Sequence, residues 1–269
     1  MLFNGIVPGQ YVPADSVLHK LDPRSKIFVT VLAMAAIFMS SSFPALIAWC
    51  VMLPFVIFIS KLPVYAVLRS AKPILVLIIF TSFLHLFWTG GSTVLLKIGP
   101  LAATGEGAVA ALRVGLRLYL LVLYAGLLTL TTSPSELSDG LECMMKPFAA
   151  FGFPAHEIAM MMTIALRFIP TFFEETERIM NAQLSRGANF DTGGIAARAK
   201  AYIPVLIPLF VLVFKRADTL ASAMESRCYR GGKGRVRMYP LKWGYNENVF
   251  FVIFILFVIV LFTLDKIGW

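Results

Sequence analysis

The chain has 269 residues, of which 58% are hydrophobic and only 14% charged, with a mean hydropathy of +0.79 and a formal net charge of +9. This excludes an ordinary soluble domain, whose surface needs far more charge, and indicates an integral membrane protein. The basic residues flank apolar runs, so the positive excess suits an anionic membrane surface rather than nucleic acid.

The first twenty residues hold no apolar core segment of the kind a cleavable signal needs, so the N-terminus is expected to stay on the mature protein. From Ile27 to Ser60 the chain is almost wholly apolar and too long for one span. Ser40-Ser41-Ser42-Phe43-Pro44 supplies a break, which predicts two helices, about 27–41 and 43–60, each near the lower limit for a hydrocarbon core of about 30 Å. A third span is expected from about Pro73 to Trp88, and the Gly-rich stretch from Gly90 to Gly107 reads as a loop. A fourth span covers about 108–130, and the last about 248–264.

Lys and Arg placement predicts the orientation. His19-Lys20, Arg24 and Lys26 precede the first span, and Lys61, Arg69 and Lys72 separate the second from the third. Lys146 through Lys242 fill the long segment before the last span. These regions alternate onto one side, which should be the cytoplasm. The N-terminus is then inside and the C-terminus outside, with Lys97 and Lys266 on the opposite face. Asp22 and Pro23 read as the N-cap and first turn of a helix, with Arg24 and Lys26 holding that end at the cytoplasmic surface. Arg113 and Arg117 fall in the outer half of the fourth span. They are read as snorkelling to the interface, with a substrate-anion site as the alternative.

Three regions result: 1–130 with four spans, 131–245 as a cytoplasmic region with three helical segments, and 246–269 as a C-terminal span. The expected fold class is an all-α integral membrane protein of about five transmembrane helices, plus amphipathic and long cytoplasmic coupling helices. The first cytoplasmic segment opens with Ser133-Pro134-Ser135-Glu136, a capping box with proline at the first helical position. Leu137, Leu141, Met144 and Phe148 then share one face, which suits a helix lying on the membrane surface. A second pattern runs from about Ala155 to Arg186, with Pro170 as a kink and Glu174 four residues before Arg178 as an ion pair. A third runs from about Ile195 to Arg227. Its apolar stretch 201–214 is short and holds Pro204 and Pro208, so it reads as a helix buried against others at the inner face.

Two motifs carry the functional reading. Ser185-Arg186-Gly187 closes the second cytoplasmic helix and Ser226-Arg227-Cys228 the third. Taken singly, an arginine in the last turn and a glycine beyond it are what many helix ends use. The repetition on consecutive helices suits a paired partner, because small neighbours let the planar guanidinium enter a groove and meet a carboxylate bidentately. Ala182 on the second helix, and Ala217 and Ala221 on the third, would allow close helix crossing.

Other chemistries lack their residues. Cys50, Cys143 and Cys228 have no zinc-ligand or redox spacing and read as small apolar filler. His19, His85 and His156 are dispersed, and no carboxylate pair, metal set or Ser/Lys dyad falls at membrane depth, so no catalytic residue, metal or cofactor is assigned. Gly231-Gly232-Lys233-Gly234-Arg235 lacks the phosphate-loop spacing and reads as a solvated basic loop. A stand-alone secondary transporter would place acidic residues at the midplane, where these spans have almost none.

The segment Ser16-Val17-Leu18-His19-Lys20-Leu21-Asp22-Pro23-Arg24-Ser25-Lys26 resembles the N-terminus of the transmembrane T component of energy-coupling factor (ECF) transporters. Thr132-Ser133-Pro134-Ser135-Glu136-Leu137, Arg167-Phe168-Ile169-Pro170, Ala182-Gln183-Leu184-Ser185-Arg186-Gly187 and Met224-Glu225-Ser226-Arg227 resemble that family too. The resemblance covers about residues 10 to 265. It implies a subunit of a plasma-membrane importer for vitamins or other micronutrients, with two ABC-type ATPase subunits and a substrate-binding S component as partners, and ATP hydrolysis in the ATPases. A dedicated cobalt/nickel or biotin system is the alternative. In that family two coupling helices each end in an X-Arg-X motif that docks on one ATPase, which here implies Ser185, Arg186, Gly187, Ser226, Arg227 and Cys228. The family commonly has Ala-Arg-Gly, whereas this chain has Ser-Arg-Gly and Ser-Arg-Cys, in which Ser and Cys are still small.

Overall fold

The computed structural model describes residues 11–40, 42–90, 93–98, 101–190, 192–231 and 243–266. The basic loop from Gly232 to Lys242 lies outside them. The described chain is built of helices and one short hairpin, in two compact units: residues 9–144 with 240–269, and residues 145–239.

The first unit begins with α1 (Val17–Lys20) and α2 (Pro23–Met39). As expected, Asp22 caps α2, its carboxylate accepting from the Arg24 N–H at 2.9 Å. Next come α3 (Phe43–Ser60), α4 (Val64–Ala71) and α5 (Leu75–Trp88), the last two joined through a 3-10 turn at Lys72–Ile74. The stretch read as a loop instead pairs β1 (Val94–Ile98) antiparallel to β2 (Leu101–Thr104). Then follow α6 (Gly105–Thr131), α7 (Pro134–Met145) and α10 (Tyr245–Lys266). α7, grouped by sequence with the cytoplasmic region, packs in this unit: a Cβ on Gly140 would stand 3.0 Å from Ile27 and 3.3 Å from Pro23. Its capping box forms, with Ser133 N–H donating to Glu136 at 3.2 Å and Glu136 N–H donating to Ser133 Oγ at 3.3 Å.

α6 is the central post, packing against α2, α3, α4 and α5. Small residues let α5 and α4 approach it. A Cβ at Gly107, Gly115 or Gly126 would stand 2.7, 2.6 and 2.5 Å from Leu86 O, Ser82 Oγ and Ser70 Oγ. This is close small-residue packing as used between membrane helices. The core gathers on Trp49, fully buried, whose ring meets Tyr124 at 5.4 Å and Phe257 at 5.2 Å, both edge-on. Tyr124 donates to the Trp49 carbonyl at 3.2 Å, which satisfies the hydroxyl at depth.

Among the described residues, five helical stretches are long and apolar enough to cross a membrane: Phe43–Ser60, Val64–Trp88, Gly105–Thr131, Ala196–Ser226 and Tyr245–Thr263. The protein is a multi-pass membrane protein. The first expected span, α2, has 17 residues and so reaches only about 25 Å. The apolar stretch 201–214, read by sequence as short, belongs to the set as part of Ala196–Ser226, because its helix runs unbroken through Pro204 and Pro208. Prolines four residues apart sit on one helical face, so the carbonyls they leave unpaired share one side.

Three cations in this unit have partners that the sequence reading did not name. Lys26 does not sit at the surface: it is 5% exposed, and its ammonium donates to the carbonyls of His19 at 3.0 Å and Thr131 at 3.3 Å. It joins the start of α2 to the end of α6, with the Glu136 and Asp22 carboxylates near enough to act on it. Arg117 donates to the Ser40 carbonyl at the α2–α3 turn, a partner its sequence reading did not name. Arg113 lies over the Phe43 ring, 5.1 Å from its centre. Asp265 of α10 accepts from the Ser42 N–H at 2.8 Å at the same turn.

Candidate functional site

The second unit holds α8 (Ala155–Ser185) and α9 (Ile195–Ser226). α8 has Pro154 at its N-cap and runs through Pro170, and Arg178 pairs with Glu175 at 3.6 Å rather than with the Glu174 expected from sequence. The two helices pack antiparallel. Near one end Met180 of α8 packs with Phe190 and with Val205 of α9, and the Phe190 ring lies 5.1 Å from that of Tyr202. At the other end Met160 and Ile164 of α8 face Leu220 and Met224 of α9. The C-termini of the two helices therefore point to opposite ends of the hairpin. At about 1.5 Å per residue, the stretch of α8 from Ile164 to Ser185 separates them by roughly 30 Å.

Both C-termini close in the same way. Arg186 is the cap of α8; Gly187 N–H donates to Leu184 O at 2.9 Å and Ala188 N–H to Gln183 O at 3.0 Å. Arg227 is the cap of α9; Cys228 N–H donates to Glu225 O at 2.9 Å and Tyr229 N–H to Met224 O at 3.0 Å. These are paired Schellman bonds, which require the residue after the cap to take a left-handed conformation. Gly187 does so at φ +88° without a steric cost, and Cys228 does so at φ +56° against one. The serine before each arginine turns back on its own helix: Ser185 Oγ donates to Asn181 O at 3.0 Å and Ser226 Oγ to Ser222 O at 2.7 Å.

What remains at each end is an exposed guanidinium. Arg186 and Arg227 are both exposed, and neither side chain has a hydrogen bond or ion pair among the described residues. An arginine fixed at a rigid helix end with its five donors unused is poised for a planar acceptor outside the chain. Ala182, Ala217 and Ala221 are exposed too, whereas the contact between the helices runs through Met180, Phe190 and Val205. α9 also shows an apolar stripe that sequence reading took as buried. Ile203, Leu206, Ile207, Phe210, Val211 and Phe214 follow helical spacing and are 48 to 66% exposed. Patterning reveals such a stripe but not whether this chain covers it.

A family sequence pattern described as CbiQ, cobalt transport protein, matches residues 14–239. The energy-coupling factor transporter transmembrane protein EcfT of Thermanaerovibrio acidaminovorans is 54% identical over 235 residues, 87% of each chain. The EcfT of Clostridium kluyveri is 44% identical over 269 residues, 100% of this chain and 99% of its own, and that of Acidaminococcus fermentans 48% over 246 residues, 90% of each. The chain belongs to the EcfT family. Membership makes it the transmembrane T component of an ECF transporter, as its N-terminal and Arg-motif segments led the sequence to be read. Both arginine ends of the EcfT hairpin fall inside the matched region. The CbiQ description keeps in view that the wider family includes proteins named for a metal ion.

Proposed function

We propose that this EcfT chain is the energy-coupling scaffold of a vitamin or micronutrient importer in the cell membrane. Arg186 and Arg227 each dock one ABC-type ATPase subunit, which hydrolyses ATP, and the chain passes the resulting motion to a substrate-binding S component. The observation that carries this reading is the pair of exposed, unpaired arginines at opposite ends of one hairpin in matching cap geometry. Two separate subunits can be gripped at once by two such ends, and a closing motion between them would strain or tilt the hairpin that joins them. The exposed apolar stripe of α9 supports a membrane-embedded or subunit-covered face, because large apolar side chains in a continuous row are rarely left in water. The chain itself holds no substrate in this account. A second reading, a T component dedicated to a cobalt or nickel system, draws on the CbiQ description.

The experiment is ATP-driven uptake by the complete complex in proteoliposomes. The account expects uptake to fall to background for the Arg186→Ala, Arg227→Ala double variant. Full uptake by that variant would reduce both arginines to helix caps. In the same account the N-terminus is cytoplasmic, following the Lys and Arg distribution. An impermeant thiol reagent on intact cells should then label a cysteine placed at Gly91 and spare one at Lys233; the reverse pattern would invert the orientation.

A further inference from the structure

The two ends of the hairpin share a cap but not a filling. Four residues beyond Arg186 stands Phe190, which folds back, 5% exposed, against Met180 and Val205. Four residues beyond Arg227 stands Gly231, which has no side chain to fold back. An open cleft of about 620 Å3 lies there, lined by Met160 and Ile164 of α8, Leu220 and Met224 of α9, and Arg227, Tyr229 and Arg230 beyond it.

We propose that this cleft is a receptor pocket for a large apolar side chain of the ATPase subunit that docks at Arg227, one standing beside a carboxylate. The inference rests on the docking reading above and adds to it a contact in the opposite direction. Three observations converge. The cleft is continuous with the arginine assigned to docking, since Arg227 belongs to both. The chain demonstrates at its other end what fits between α8 and α9, an aromatic ring on a methionine and a valine. The chemistry of the cleft selects its occupant: unbranched methionines adapt to a ring and make favourable sulfur–aromatic contacts, while the two arginines of the lining neutralise an adjacent carboxylate. A buried aromatic or aliphatic anchor ringed by charge is the usual form of an interface hot spot. A phospholipid with an anionic headgroup offers related chemistry, but continuity with the docking arginine favours the protein.

The test fills the cleft from its own wall. Thr163 lines the cleft from α8 and is exposed, its hydroxyl donating to Ala159 O within its own helix. In the complete complex, Thr163→Trp and, independently, Met160→Trp should each lower ATPase retention about tenfold, the scale of one hot-spot contact, while Thr163→Ser leaves it unchanged. Melting curves establish that the variants are folded. The loss should be larger in an Arg186→Ala background, where this end carries the attachment alone, and small in an Arg227→Ala background, where the end is already detached. If Arg227→Ala weakens retention and neither tryptophan does, the pocket is wrong and the docking reading stands. If Arg227→Ala has no effect, the docking reading fails and takes the pocket with it. If the tryptophans spare the ATPase but strip co-purified anionic phospholipid, the occupant is a lipid and the proposal is overturned.

Discussion

Lys26 and Arg117 in the unit of spans, and Arg186 and Arg227 in the hairpin unit, are all cations placed on helices, yet their side chains have opposite fates. Lys26 reaches the carbonyls of His19 and Thr131, and Arg117 that of Ser40, partners that lie 7, 105 and 77 residues away in sequence. The hairpin arginines reach nothing among the described residues. In the first unit a cation closes gaps between helices, where an unpaired carbonyl would be costly without water. In the second it is held outward at a rigid end. The difference separates cations that hold the chain together from cations kept for another molecule.

That separation can be broken by experiment. The largest effects belong to the single docking variants. Arg186→Ala and Arg227→Ala should each weaken ATPase attachment by about 2–5 kcal/mol, as truncating one partner of a desolvated charge pair does. Each should shift the unfolding free energy by less than about 0.5 kcal/mol, as exposed surface changes do. Lysine at either position should rescue attachment poorly, since it keeps the charge and loses the planar fork. Paired titrations of attachment and thermal melts check both halves, and a large drop in melting temperature would make the arginines internal after all. Lys26→Met should do the reverse. It strands the Thr131 and His19 carbonyls and unbalances the nearby carboxylates, at about 3 kcal/mol of fold stability, with ATPase attachment per folded molecule unchanged. Normal stability in detergent would contradict the role given to Lys26. The smallest effect concerns the caps. Cys228→Gly should stabilise the last turn of α9 by up to about 1 kcal/mol, and Gly187→Cys should loosen that of α8 by a similar amount. Amide exchange in the two final turns reads both, and equal protection in all four proteins would refute the strain argument.

What could be read from the sequence follows the range of the signal. α3 and α9 have nearly the limits their patterns predict, because caps, prolines and periodicity are local. The capping box of α7 and the left-handed glycine after Arg186 were equally legible. α4 was missed because Pro63 and Pro73 enclose only eight helical residues, too few for periodicity to register. Pro204 and Pro208 counted against a simple span at 201–214, although the helix of α9 runs through both. The destinations of Lys26 and Arg117 could not be read, since their partners belong to other helices and only the fold brings them together. The arginine motifs were legible as residues. Their opposite placement was not, because it depends on α8 and α9 packing antiparallel. The cleft beside Arg227 was not legible either, because residues of both helices line it.

The central claim is that two arginines hold two ATPase subunits on one hairpin. Native mass spectrometry of the nucleotide-free complex counts those subunits directly. Wild-type chain should carry two, each single arginine-to-alanine variant should populate a species with one, and the Arg186→Ala, Arg227→Ala double variant should carry none, because bivalent attachment fails when both contacts are lost. A double variant that still carries two ATPase subunits would contradict the account.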